Sequence, residues 1–294
     1  MIKDDFNLRF FTRLDIGENS IISMMEEDPE SLDPEKNYQE LIEYVKGKKR
    51  PEPNYTKLLE YNKVVCFGES HPQIGAKDEV IKVLKDKKNT ITHLGLEMFP
   101  EAMQRSLDGF FDNGNNEDEL ADHLRKYWNY DGAEKKYMEM VKSARECGIR
   151  ILGINNDFRN RVQREYIERI KDEDPTLVQN QYWAVIIDKV LYENKNSKIV
   201  TYSGSGHLGF NKFNNTFNGF LGKYGIFSSV INFIGDNNYI SPLKSNNLSD
   251  NLEKAISEAG LNNERLVIDI KRKIPRKADF FIHLPRRPRD IDYK

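Results

Sequence analysis

Val64-Val65-Cys66-Phe67-Gly68-Glu69-Ser70-His71 decides how this 294-residue chain is read. Four apolar residues and a glycine make a short buried strand, which runs directly into an acid and a histidine two residues apart. Side chains alternate with period two along a strand, so an extended backbone puts Glu69 and His71 on one side of its carboxyl end. Ligands of open α/β sheets settle beyond those carboxyl ends. A second Glu closes Thr92-His93-Leu94-Gly95-Leu96-Glu97, and a second histidine ends Gly204-Ser205-Gly206-His207.

Outward from this stretch, strand and helix signals alternate. A helix is predicted near 76–87, a strand over 92–97, helices between 100 and 147, and a strand over 149–154. Further helices follow near 158–172 and 176–194, then strands over 198–202 and 226–234. A helix near 250–259 and short strands around 265–270 and 279–284 close the pattern. Such alternation predicts an α/β fold, with a mostly parallel central sheet, flanking helices and a helical insertion. Residues 1–50 read as an N-terminal helical extension before the α/β domain of 51–294. Within the extension, Asp33-Pro34 predicts a helix start and Gly47 its end.

Composition narrows the function classes. A 38% hydrophobic content with 31% charged residues describes a globular chain with a solvated exterior. The net charge of -2 argues against nucleic acid as a partner. No run approaches the roughly 18 apolar residues of a membrane span. Residues 1–14 mix charges with scattered Phe and lack a signal-peptide core. The two cysteines, Cys66 and Cys147, read as reduced thiols. The expected location is cytoplasmic, and delivery as an effector is compatible with the same features. Residues 271–289 carry Lys271, Arg272, Lys273, Arg276, Lys277, Arg286, Arg287 and Arg289 against Asp279, most simply a solvated basic face.

The chemistry follows from the strand ends. If the strands are parallel neighbours, Glu69, His71, Glu97 and His207 open into one crevice. Two carboxylates held close do not both ionise cheaply, so one acquires a raised pKa and shuttles protons beside a histidine that titrates in the same range. That combination suits activation of water for attack on a carbonyl. Arg159, beyond the third strand, and Tyr202 are candidate substrate-binding residues.

These motifs resemble a known group. Gly68-Glu69-Ser70-His71, Leu96-Glu97-Met98, Asn155 with Arg159, and Gly204-Ser205-Gly206-His207 look like the pattern of the erythromycin-esterase, ChaN and Tiki/TraB superfamily, over about residues 60–285. The resemblance implies an EreA/ChaN-like α/β fold. It further implies one of several activities: an esterase in which Glu and His activate water, a metal-dependent Tiki-like protease, a haem-binding ChaN-like protein, or a toxin-type endopeptidase specific for Ras and Rap. Carried over, the catalytic roles fall on Glu69, His71, Glu97 and His207.

Competing motifs fail on their neighbours. Gly204-Ser205-Gly206-His207-Leu208-Gly209 matches a dinucleotide fingerprint, but the Asn-rich segment after it is a poor helix and no acid follows at the required distance. Pro72 and Ser203 stand where a nucleophile elbow around Ser70 or Ser205 requires glycine. The reading is thus a hydrolase of an ester or peptide-like bond, acting on a small-molecule or peptide substrate without an obligatory cofactor. Its rivals are haem bound through a Tyr or His, and a divalent metal held by His71, His207 and one Glu.

Overall fold

A computed structural model describes residues 32–33, 36–47, 52–130, 132–156, 175–209, 215–235, 248–270 and 278–285. Arg159, the helix expected near 158–172 and most of the basic stretch after 270 lie outside these residues. Strands β1 (Val64–Glu69), β2 (His93–Pro100), β3 (Arg150–Asn155), β4 (Ile199–Gly204), β5 (Ser228–Gly235), β6 (Leu266–Asp269) and β7 (Phe280–Leu284) form one sheet. Their order is β3-β2-β4-β1-β5-β7-β6, parallel throughout except for β6.

Every residue of β1 is buried, as its unbroken apolar run requires of a strand covered on both faces. β4 and β5 pair with it on either side, with Phe67 opposite Tyr202 and Ile231. β4 also pairs with β2, so the carboxyl ends of β2, β4 and β1 lie side by side in that order. The chain therefore passes from β1 to β2 over a place that β4 fills much later.

Period-two alternation splits the core. Val65, Phe67 and Tyr202 face one layer, built on α3 (Ile74–Asp86), α4 (Gln104–Asn113), α5 (Glu117–Tyr127) and α6 (Ala133–Glu146). Val64, Cys66 and Ile199 face the other, built on α1 (Tyr38–Lys46), α7 (Pro175–Glu193), α8 (Phe217–Lys223) and α9 (Leu248–Glu258). A short helix, α2 (Tyr55–Tyr61), precedes β1. α1 starts later than Asp33-Pro34 predicts: the Asn37 side chain accepts from Glu40 N–H and caps it, and Gly47 ends it as expected. Its Leu41, Ile42 and Val45 join the second core, where Leu32 also bridges to Ile270.

Two local features shape the sheet end. β2 keeps register with β3 up to Leu96 and then slips, so that Pro100 lies opposite Asn155. An irregularity of this kind re-aims the side chains within it, here Glu97. Gln104 pairs with the free edge of β3, donating to Ile151 O and accepting from Gly153 N–H at 2.9 and 3.0 Å. A side chain thus blunts the exposed edge. Among the described residues no helix is long and apolar enough to cross a membrane.

Candidate active site

Glu69 ends β1 and is buried among donors. Its Oε1 accepts from Tyr137 Oη at 2.5 Å and lies 3.4 Å from His71 Nδ1. Its Oε2 accepts from Lys77 Nζ at 2.5 Å and from the Tyr202 hydroxyl. Burial, followed by the Glu69 charge, pushes both tyrosine hydroxyls well above the ordinary range, so they remain donors. Both oxygens of Glu69 are thereby occupied within the core.

His71 follows in the turn before α3, a quarter exposed at its side chain. Trp128 meets its ring edge-on at 5.1 Å between centroids and Tyr130 stacks on it at 5.5 Å. With Nδ1 directed at Glu69, Nδ1 carries a proton and Nε2 faces away from that carboxylate.

Glu97 stands where β2 leaves register, 4% exposed. Its Oε2 accepts from Gly204 N–H at 2.6 Å, and its Oε1 lies 3.6 Å from His207 Nε2. Burial raises its pKa; the charge of His71 and the Gly204 N–H offset part of that, and Glu69 reinforces it. His207 belongs to the 3₁₀ turn Ser205–His207 after β4. Its Nδ1 lies 2.8 Å from Asn180 Oδ1, while Asn180 Nδ2 donates to Asn215 O. Asn180 Oδ1 can only accept, so His207 carries a proton on Nδ1 and directs Nε2 toward Glu97. Trp183 packs against its ring at 4.4 Å.

Gly204 joins these two pairs. A Cβ at that position would lie 3.3 Å from His71 Nε2 and 3.5 Å from Glu97 Oε2. The structure thus brings together Glu69, His71, Glu97, His207 and Tyr202, at the ends of three adjacent strands. Sequence reasoning missed Lys77, Tyr137, Asn180, Trp128 and Tyr130. Lys77 did leave a signal, since it falls three and four residues before Val80 and Ile81 on the apolar stripe of α3.

Among the described residues no group of three or more His, Cys, Asp or Glu side chains is placed to hold a metal ion. The two-histidine, one-carboxylate set therefore does not fit a metal here. Tyr137 and Tyr202 do not fit iron either, because a haem-ligating phenol binds deprotonated. Cys66 is a free buried thiol, pushed up to about 12 by that burial, and not a nucleophile.

Comparison with known proteins finds one family model and a likeness of fold. A family model described as haem-binding uptake, Tiki superfamily, ChaN, matches residues 55–184. A comparison with curated proteins finds no match. A mutant of the erythromycin esterase EreC in its open conformation is 12% identical, over 79% of this chain and 92% of that one, with a TM-score of 0.53. The type III effector HopBA1 is 14% identical over 82% and 98%, with a TM-score of 0.49. ChaN of Campylobacter jejuni, solved with cofacial haem, is 18% identical over 65% and 89%, with a TM-score of 0.38. The stretch that carries Glu69, His71 and Glu97 thus matches the Tiki superfamily, the group its motifs resemble, on the fold of an erythromycin esterase.

Proposed function

We propose that the protein hydrolyses an ester or peptide-like bond, with water activated between His71 and Glu97. The observation that carries this reading is the approach of His71 Nε2 and Glu97 Oε2 to the same point in front of Gly204. A water lodged between the two groups, in front of the bare Cα of Gly204, would have a nitrogen on one side and a carboxyl on the other.

The steps follow from the partners. His71, held by Glu69, takes a proton from water through Nε2, and the hydroxide adds to the carbonyl carbon. Glu97, whose pKa burial raises, gives a proton to the leaving oxygen or nitrogen as that bond breaks. The His71 imidazolium then returns a proton to the Glu97 carboxylate across the gap at Gly204. His207, with Nδ1–H on Asn180, offers Nε2 to Glu97 and shares its proton. Glu69 orients and does not act as the base, since both of its oxygens are taken.

Turnover on a panel of aryl and alkyl esters and peptides tests the reading. Glu97→Gln and His71→Asn are expected to lose about 10²–10⁴ in kcat while remaining folded. Unchanged turnover in both variants sinks it. The family match favours a second reading, haem binding. Tyr130, exposed at the rim and stacked on His71, is then the candidate ligand. A Soret band on adding haemin that vanishes in Tyr130→Phe, with an inert ester panel, establishes this reading instead.

A further inference from the structure

Lys77 is the buried charge that the proposed chemistry does not use. Its side chain is fully buried, at a cost of several kcal/mol for an unpaired ion. All three ammonium protons find acceptors: Glu69 Oε2 at 2.5 Å, His71 O at 2.8 Å and Gln73 O at 3.1 Å. The nitrogen also lies 4.3 Å from the ring centroid of Tyr137, whose hydroxyl donates to the other oxygen of Glu69.

We propose that Lys77 is the positioning residue for His71: one ammonium holds both the carboxylate that orients the imidazole and the backbone of the turn that carries it. This inference rests on reading His71 as the base. A lysine serving only as a plug in the apolar stripe of α3 needs any acceptor within reach. Two of the three here belong to His71 itself or to its ring partner, and the third, Gln73 O, lies in the same turn.

The electrostatic consequence is specific. Lys77 offsets the charge of Glu69 at 2.5 Å, so that carboxylate draws less on His71 for a counter-ion. The groups facing His71 are Glu69 from β1, Glu97 from β2, Tyr137 from α6, and Trp128 and Tyr130 from the segment between α5 and α6. With Lys77 removed, the imidazolium is the cation left beside Glu69. Lys77 itself touches neither water nor substrate.

Proton–nitrogen NMR of the imidazoles tests this without a substrate, with the His71 signal assigned by its loss in His71→Asn. The wild type is expected to carry the neutral proton on Nδ1. In Lys77→Met, the His71 midpoint is expected to rise by a pH unit or more, a tenfold gain in proton affinity, and the neutral form to become a mixture of tautomers. The same comparison in a Glu69→Gln background, where the double variant leaves the pair uncharged, keeps the test decisive if Lys77→Met alone does not fold. There no carboxylate remains to draw a proton onto the ring, so removing the lysine is expected to show in the tautomers, which become a mixture. An unchanged midpoint and tautomer in the variants that fold overturn the proposal. Failure of the hydrolase reading shows separately, as unchanged turnover in Glu97→Gln.

Discussion

The backbone N–H of Gly204 donates to Glu97 Oε2 over 2.6 Å, and the space in front of the same glycine is shared with His71 Nε2. The backbone of β4 thus fixes the carboxyl, and the missing side chain leaves the gap in which that carboxyl and the imidazole face one another. Gly204 has φ -58 and ψ 134, a conformation open to any residue, so space and not backbone strain is what it supplies.

Gly204→Ala is therefore expected to fold normally, within ~1 kcal/mol of wild type, because the partly exposed His71 ring can yield a few tenths of an ångström. The methyl group nonetheless intrudes on the gap between His71 and Glu97 in which the water is proposed to lie. A loss of about 10²-fold in kcat is expected, the scale of a small misplacement of reacting groups. Thermal melting beside turnover checks both halves; full activity with a normal melt removes water from this place.

Gly68 provides the contrast on the next strand. A Cβ there would lie 2.0 Å from Asn232 Oδ1 and 2.9 Å from Leu208 Cδ1, inside a closed core. Gly68→Ala is expected to cost about 1–3 kcal/mol through overpacking. Adding Asn232→Ala should recover part of it. Urea midpoints of the three variants decide the matter, and a stable Gly68→Ala would show that the core relaxes more than its packing implies.

The strand ends were legible because period-two alternation and terminal polar residues are local signals. Glu69, His71, Glu97 and His207 each stand at the end of an apolar run. The place of β4 between β1 and β2 was not, since no residue in β1 or β2 records a strand that arrives from far downstream. Lys77 was passed over because lysine is by default a surface residue, although its neighbours on α3 placed it inward. Tyr137 and Asn180 carried no signal at all, for each finds its partner, Glu69 or His207, by packing between distant segments. The slip in β2 that re-aims Glu97 was equally silent.

The two tyrosines on Glu69 should act as structural donors whose loss is felt in stability. Each hydroxyl bonds a buried carboxylate, and a hydrogen bond to a charged group contributes about 1.5–3 kcal/mol. Tyr137→Phe and Tyr202→Phe are each expected to destabilise by that amount at neutral pH. Because they share one acceptor, a double-mutant cycle is expected to depart from additivity. Additive effects below ~0.5 kcal/mol each would instead show Glu69 adequately held by Lys77 alone.

Glu97 makes a prediction whose sign runs against the usual carboxylate. Burial raises its folded-state pKa above the reference value of 4.5, so the folded protein holds this proton more tightly than the unfolded chain. Its contribution to stability is complete below pH 4.5 and is lost as the pH rises from there through the raised value. Glu97→Gln removes that loss while keeping an oxygen for Gly204 N–H. The variant should therefore gain stability relative to wild type as the pH climbs from 4 toward 7, even as it loses turnover. Urea unfolding at several pH values checks the trend. A difference that stays flat, or that shrinks with rising pH, would mean that Glu97 is ionised in the folded protein and cannot be the acid that protonates the leaving group.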